Sequence, residues 1–513
     1  MRKRSEKGQA VILVVAAMAL VLVGALGLAI DGASLYGNRQ MAQSAADAAA
    51  QAGILSIFDG TNIGTNLFGS AAHLCTATDA ITPCVYARKN GFGASADDAV
   101  VVDFPSAATV GLDPAILPAA ASVPVSIIRV TITRSVHNNI IRMLGASATT
   151  PVKALAVAAI CDVVSPVPII VLHPTRPTGT TAKNGSFFIN GNPTVTICGG
   201  PTRSIQVNSD SGSSITVKGA SSIVDLSHAG PADPGNCSTG TGAEFGDYGG
   251  PDPYPGTVSF GSTGSWIFPA SPIPDPLYWG SSTPPLVSQP TTTGLTTNPA
   301  TLTIKVGDAV RYGCPAGISC TLYSPGLYTT GIKVKNDFAL FKPGIYYISG
   351  GGLTFDSGSG AAMATSVGPP SYSGFSGGGM LVFNSGNNAS NDVISFAADA
   401  GKNGGITLTG ADQGLPYENI LFFEDRTTTM AHTHTLQGGG AVSLTGTIYL
   451  TNPWPHADLD LYQTLLLQGT PGSTTTLTGE IITDVLELGG NGGITMDLNP
   501  YDGLHVRKVA LVK

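Results

Sequence analysis

Charge is scarce in this sequence: Asp, Glu, Lys and Arg together make up 11% of 513 residues. What basic charge there is gathers at the start, where Arg2, Lys3, Arg4 and Lys7 face only Glu6. Past Lys7 remain 21 of the 25 basic and 32 of the 33 acidic residues, a balance of −11. Binding phosphates needs a basic face, and none is visible, so nucleic acid is not an expected partner. Several motifs are missing as well. Without CxxC there is no zinc ribbon or thioredoxin site, and GxSxG, the P-loop and HExxH are absent too. The sequence therefore offers no catalytic residues, and no cofactor is expected.

Glycine and proline are plentiful, 66 and 35 residues respectively. With so few charges, this composition suits a turn-rich β protein outside the cytoplasm better than a helical enzyme or a charged disordered chain. From Ala10 to Ile30 run 21 residues without a charge, "AVILVVAAMALVLVGALGLAI". As a helix they would span roughly 30 Å, the thickness of a hydrocarbon core. Basic residues before the run and Asp31 after it place the N-terminus in the cytoplasm. A cleaved signal peptide is the alternative, with "GLA" at 27–29 as its site, but its apolar core is usually about 7–15 residues.

The next stretch, "DGASLYGNRQMAQSAADAAAQAG", reads as a continuation of that helix. Arg39, Gln43, Asp47 and Gln51 recur every fourth residue as a polar stripe. Ala42, Ala45, Ala49 and Ala52 fill another face with methyl groups, which permits close approach of a partner backbone. These four are the expected docking face. One helix from about residue 9 to about 55 results, with Gly32 and Gly37 as places for a kink.

Five segments follow from this reading. Residues 1–55 hold the cytoplasmic start, the transmembrane helix and the Ala-rich helix. Residues 56–160 form a small α+β module, with a helix in "PCVYARKNGFG", strands in "AVVVDF", "SIIRVTITRSV" and "TPVKALAVAAI", and a short helix in "HNNIIRMLG". Residues 161–228 carry the first β-rich repeats, whose starts at Ser186, Ser204 and Ser222 stand 18 apart. Residues 229–300, rich in Pro, Gly, Ser and Thr, read as an insertion or linker. Residues 301–513 resume the β pattern, and "TLTG" or "SLTG" ends at Gly410, Gly446 and Gly479, intervals of 36 and 33. Imprecise recurrence of this size suggests stacked coils. The expected fold is mainly β, with a large β-solenoid of the right-handed parallel β-helix kind; a β-sandwich is the alternative.

The start of the chain, "GQAVILVVAAMALVLVGALGLAIDGASLYGNRQMAQSAADAAAQAG", resembles TadE/TadG-like proteins of Flp-type (tight-adherence) pilus assembly. The likeness rests on Gly8, the apolar span, Asp31-Gly32, Tyr36, Arg39 and Ala46-Asp47-Ala48-Ala49. It continues through "YARKNGF", "RVTITRSV" and "MLGASATTPVKALAVA", and more weakly through "QVNSDSGSSITVKGASSI" and "GIYYISGGGLTF". The resemblance implies a bacterial inner-membrane protein, single-pass, with the bulk of the chain periplasmic or extracellular. It also implies pilus-assembly or secretion proteins as partners, a surface or polysaccharide ligand, and no catalysis. Leu13 stands where cleavage after Gly8 would call for glutamate, so the likeness does not extend to a processed pilin.

Cysteines number seven. Cys75/Cys84 and Cys314/Cys320 could each close a short loop and Cys198/Cys237 a longer one, leaving Cys161 over; spacing alone does not fix the pairing. Between Cys314 and Cys320, "PAGIS" favours a turn, and a bridge is expected there. "HTH" at 432–434 puts two imidazoles on one strand face, half a metal site needing His456 or Asp458 to complete it; solvated histidines are the plainer reading. Asp458 and Asp460 share a face without any calcium-loop pattern. Glu424 and Asp425 in "FFEDR" could serve glycoside chemistry, which makes an anchored polysaccharide-active β-helix enzyme the rival function. A salt bridge at a turn is the commoner role for such a pair.

Overall fold

Fifty-three residues without a proline, dominated by alanine, leucine and valine, form one continuous helix α1, Glu6–Phe58. The computed structural model describes residues 6–512 apart from 59–60, 63–68, 70, 118–124, 165–166, 176–184, 220, 232–236, 238, 278–286, 307–311, 365–377, 389–390, 398–399, 402, 412–416, 439, 453–457, 471–473 and 499–504. The chain divides into two units. One contains Met1–Val163 with Arg507–Lys513, and the other Val164–Gly280 with Pro285–Val506.

In the first unit, α1 packs on a five-stranded sheet and on the short helix α2, Thr82–Lys89. The sheet runs β1 (His73–Leu74), β2 (Asp98–Asp103), β3 (Ile127–His137), β4 (Thr149–Val164) and then the C-terminal strand His505–Leu511. The first four pair antiparallel in sequence order. Alternation along β3 sets its two faces. Ile128, Val130 and Ile132 are fully buried on one, and Ile127 joins Val157, Ala159 and Cys161 on the other. Arg134 faces Asp98 and Arg129 faces Asp103 across the β2–β3 ladder, each pair ion-bonded in direct register. Just past α2, Gly91 takes the left-handed conformation, φ +84°, that commonly ends a helix. "HNNIIRMLG" forms only one 3₁₀ turn, Ile141–Leu144.

The second unit consists of three sheets of eleven, ten and eight strands. From Cys320 to Leu498, consecutive strands fall on the first, second and third sheet in rotation, and each as far as Thr474–Thr478 pairs in parallel with the third strand after it. Ile406 lies beside Val442 and Val442 beside Thr475, shifts of 36 and 33 residues. The Gly410–Gly446–Gly479 recurrence therefore marks the same strand end on neighbouring parallel strands of the first sheet. Ser186, Ser204 and Ser222 instead lead into strands on three different sheets, Phe187–Gly191, Arg203–Val207 and Ile223–Ala229. Their 18-residue spacing is a coincidence of strand length rather than a coil.

Between the sheets lies a single apolar core from Ile169 to Leu498, including a ladder of Phe341, Phe355, Phe396 and Phe422 at centroid spacings of 4.8–6.3 Å. The second sheet is buried on its outer face too. There Tyr347, Phe383, Phe423 and Tyr449 stack in register, which explains continuous apolar strands such as "MLVFN" and "ILFFE".

The order of coils along the sheets is not their order in the chain. Strands Ile169–Val171, Phe187–Gly191 and Thr194–Gly199 pair in parallel with the last ones, Ile481–Thr483, Val485–Gly490 and Gly493–Leu498. The chain thus enters the sheets in their interior, builds out to one edge at Thr257–Ser259 and Trp266–Ile267, and restarts at the opposite edge with Leu302–Ile304. Residues 229–300, read from composition as an insertion or linker, supply three of these strands and then a strap along the second sheet. Asn208 bonds the Ile273 backbone, and Tyr449 donates to Asp275 at 2.6 Å. Gln289 reaches Asp425, and Leu327 pairs with Thr296 and Asn298. Arg426 binds the carbonyls of Leu277 and Val287 while its guanidinium lies over Phe423 and Tyr449.

Gly479 shows how tight the repeated corner is. Its φ is +139°, and a Cβ there would lie 2.5 Å from the Gly446 carbonyl oxygen. Gly479→Ala should therefore lower stability by about 1–3 kcal/mol, read as a fall in the denaturant midpoint; an unchanged midpoint would show that the corner has slack.

Candidate functional site

Two places in the chain gather chemistry-bearing or contact-bearing residues, one in each unit. The first is α1. From Val11 to Ile30 its side chains are almost all exposed, and among the described residues this helix alone is long and apolar enough to cross a membrane, with mean hydropathy 2.9 over its best window. At Asp31 the environment changes. Its carboxylate is 3% exposed and accepts the backbone N–H groups of Asn139, Ile140 and Ile141 at 2.9, 3.0 and 2.7 Å. These are the unsatisfied donors at the start of the 3₁₀ turn, so Asp31 caps it from a distant helix. In the sequence Asp31 is legible only as the border of a span; nothing local announces its partners.

Beyond Asp31 the alanine face turns inward. Ala42, Ala45 and Ala49 are completely buried, as are Ala46 and Ala50, while Ala52 is half-buried. The cover comes from the chain's own α2 and β3. A Cβ on Gly53 would strike the Ile128 side chain at 2.6 Å, a measure of how closely helix and sheet approach. From the polar stripe, Gln43 donates to Asp47 at 2.8 Å and to the Leu155 carbonyl at 3.0 Å. Small residues here admit the unit's own sheet, and the residues left outward include Tyr36, Gln40, Met41, Ser44 and Gln51. Disulfides join Cys75 to Cys84, Cys198 to Cys237 and Cys314 to Cys320, and Cys161 is buried outside them.

The second place lies at the corner between the second and third sheets. Glu424 ends strand Ile420–Glu424, and two residues of "HTH" stand at the start of Thr433–Gln437 one strand later. Glu424, His432 and His434 are all fully buried. His432 Nδ1 lies 2.7 Å from one Glu424 oxygen, and His434 Nε2 3.4 Å from the other. Asn384, opposite Glu424 on the preceding coil, donates to it at 2.9 Å. The Ile394 N–H points at His434 Nδ1, 3.1 Å away. Burial pushes the Glu424 carboxyl up, opposed by its His432 and Asn384 partners. Burial, with His432 close by, pushes His434 down to about 3, which keeps this ring neutral.

The histidines are thus buried rather than solvated, and the acid that meets them is Glu424. Asp458 is exposed and holds the Asp460 N–H, while His456 lies outside the described residues. Asp425 is engaged by Gln289, Ser385 and Thr427. A second group within metal-binding distance is His73, Asp79 and Cys84, but Cys84 is committed to its disulfide.

Comparison with known proteins bears on the first place. Residues 8–72 match the family model of Flp pilus-assembly TadE/G-like proteins. The N-terminal segment is TadE/G-like. The match covers α1 from Gly8 onward and stops just before β1. No curated protein and no solved structure matches the chain. The TadE/G-like segment thus combines an exposed apolar half with a buried alanine half.

Leucine is nearly as good a helix former as alanine, so an Ala45→Leu, Ala49→Leu variant isolates packing from propensity. Overpacking these positions should cost roughly 1–3 kcal/mol per site. Thermal unfolding of the detergent-solubilised full chain measures it, and a melting curve like the parent's would mean that the helix–sheet contact is loose.

Proposed function

We propose that this chain is a non-catalytic protein of the bacterial envelope that serves pilus assembly or adhesion. Its apolar helix anchors it in the inner membrane with the N-terminus in the cytoplasm. Its second unit is a β-solenoid of the right-handed parallel β-helix kind, carried beyond the membrane as a binding surface. The observation that carries this reading is the TadE/G-like match laid over a helix whose apolar half is exposed. The basic cluster before that half and the acidic balance after it favour the orientation. Parallel pairing with every third strand, together with the right-handed preference of parallel crossovers, supports the solenoid.

A polysaccharide-cleaving enzyme would need two accessible carboxyl groups flanking the scissile bond. Glu424 is fully buried against His432, and Asp425 is tied to the strap, so this pair is poorly placed for that work. Partners are expected among pilus-assembly or secretion proteins, with a surface or polysaccharide ligand for the second unit.

Topology and role can be tested together. A reporter that works only outside the cytoplasm, joined after residue 60, should be active, and deletion of residues 164–506 should reduce pilus-dependent adhesion while the remaining anchor still accumulates. Cytoplasmic reporter activity, or a soluble mature protein starting near residue 30, would overturn the anchor. Turnover of pectin or another polysaccharide by the full chain, lost in Glu424→Gln, would overturn the non-catalytic reading.

A further inference from the structure

We infer that Glu424, His432 and His434 form a structural binding site for a divalent transition metal of the zinc class, held inside the second unit. The three side chains offer one carboxylate oxygen and two imidazole nitrogens, all within 4.8 Å of one another. They come from two consecutive strands on different sheets, Glu424 at the end of Ile420–Glu424 and the histidines at the start of Thr433–Gln437, and each is fully buried. Two imidazoles with one carboxylate are the mixed nitrogen and oxygen donors that zinc and its neighbours accept.

An independent observation points to a missing occupant. Among the described residues, His434 Nε2, 3.4 Å from Glu424, and the Asn384 Oδ1 oxygen are buried without a hydrogen-bond partner. Two such atoms on residues that meet one carboxylate are more than a well-packed corner ordinarily tolerates. Asn384 already donates its amide N–H to Glu424.

Loading changes the proton positions. With Ile394 N–H directed at His434 Nδ1, the neutral ring carries its proton on Nε2, facing Glu424. Binding the ion at Nε2 moves that proton to Nδ1 and gives up the Ile394 hydrogen bond. The proton on His432 Nδ1, which now bridges to Glu424, moves to Nε2 as the metal takes its place, so the ring stays neutral. One neutral hydrogen bond and one bridge are thereby exchanged for three ligand bonds. With all three ligands at zero exposure, the ion reaches them during folding and no open position faces solvent. Such an ion is a staple between the second and third sheets at this corner.

The test uses the full chain in detergent, refolded with Zn²⁺, with Co²⁺ or with a chelator, then dialysed and measured for metal content. About one equivalent of metal per chain is expected to remain, with a higher melting temperature than in the chelator-refolded sample. Glu424→Gln and His432→Asn should each drop the content at least tenfold with the far-ultraviolet circular dichroism unchanged. Should those variants fail to fold, X-ray absorption of the zinc-loaded parent decides: two imidazoles with oxygen ligands support the site, whereas sulfur ligation overturns it. Less than a tenth of an equivalent retained by the parent, or full content in both variants, also overturns it.

Discussion

Everything in the second unit depends on the parallel pairing of the first three strands after Val164 with the last three before residue 499. A stack of parallel strands satisfies its backbone by borrowing a neighbour's groups, so each interior coil is complete only when both neighbours exist. Here the coil formed first in the chain waits for the coil formed last. The interior join also leaves the sheet edges to internal segments. Those edges are guarded differently. At one, the antiparallel strand Leu302–Ile304 covers Cys320–Tyr323, whose first residue is bonded to Cys314. At the other, Phe245, Tyr254 and Trp266 pack together at 5.1–5.4 Å beside the last strand pair. Antiparallel cover and aromatic bulk both make an edge a poor template for a further strand.

How much of this was legible follows from the range of each interaction. The helix through Phe58 was readable because propensity and the four-residue stripe are local. So were the strands of the first unit, where alternation survives in Ile128, Val130 and Ile132. The interval between parallel neighbours could be read from Gly446 and Gly479, since their close approach admits no side chain on Gly479. Coil order was not readable, because Ile481–Thr483 and Ile169–Val171 carry nothing that names each other. Within residues 229–300 the composition did not announce the strands Glu244–Asp247, Thr257–Ser259 and Trp266–Ile267, which join the ladders before the chain lies along the second sheet. Glu424 and "HTH" each stand out in the sequence, but eight residues and a change of sheet separate them from a shared corner.

The outer face of the second sheet shows why the strap is polar. Its surface is aromatic, from Tyr347 to Tyr449, and could be covered by any apolar segment. A cover held by hydrophobic contact alone would be free to slide, since apolar attraction has little direction. Arg426 removes that freedom by binding two strap carbonyls while lying on the aromatic rings beneath, and Tyr449 adds a directed bond to Asp275. Hydrogen bonds here fix register, whereas ring burial supplies most of the attraction.

The same division of labour appears in α1, at the point where its surroundings change. Before Asp31 the helix presents leucines, valines and isoleucines outward, a surface suited to an apolar medium; after it, alanines are sealed against the sheet. A carboxylate between two such environments would be costly if left bare. Three backbone donors from residues 139–141 make it tolerable, and in doing so they tie the strand connection to one turn of the helix. Alanine contacts are too uniform to set the axial position of a helix, because a slide by one turn presents another alanine. Asp31 has no such equivalent one turn away: Gly27 and Leu28 stand at that spacing before it, and Ser34 and Leu35 after it. The charged residue therefore sets the register, and the alanines supply the closeness that lets it do so.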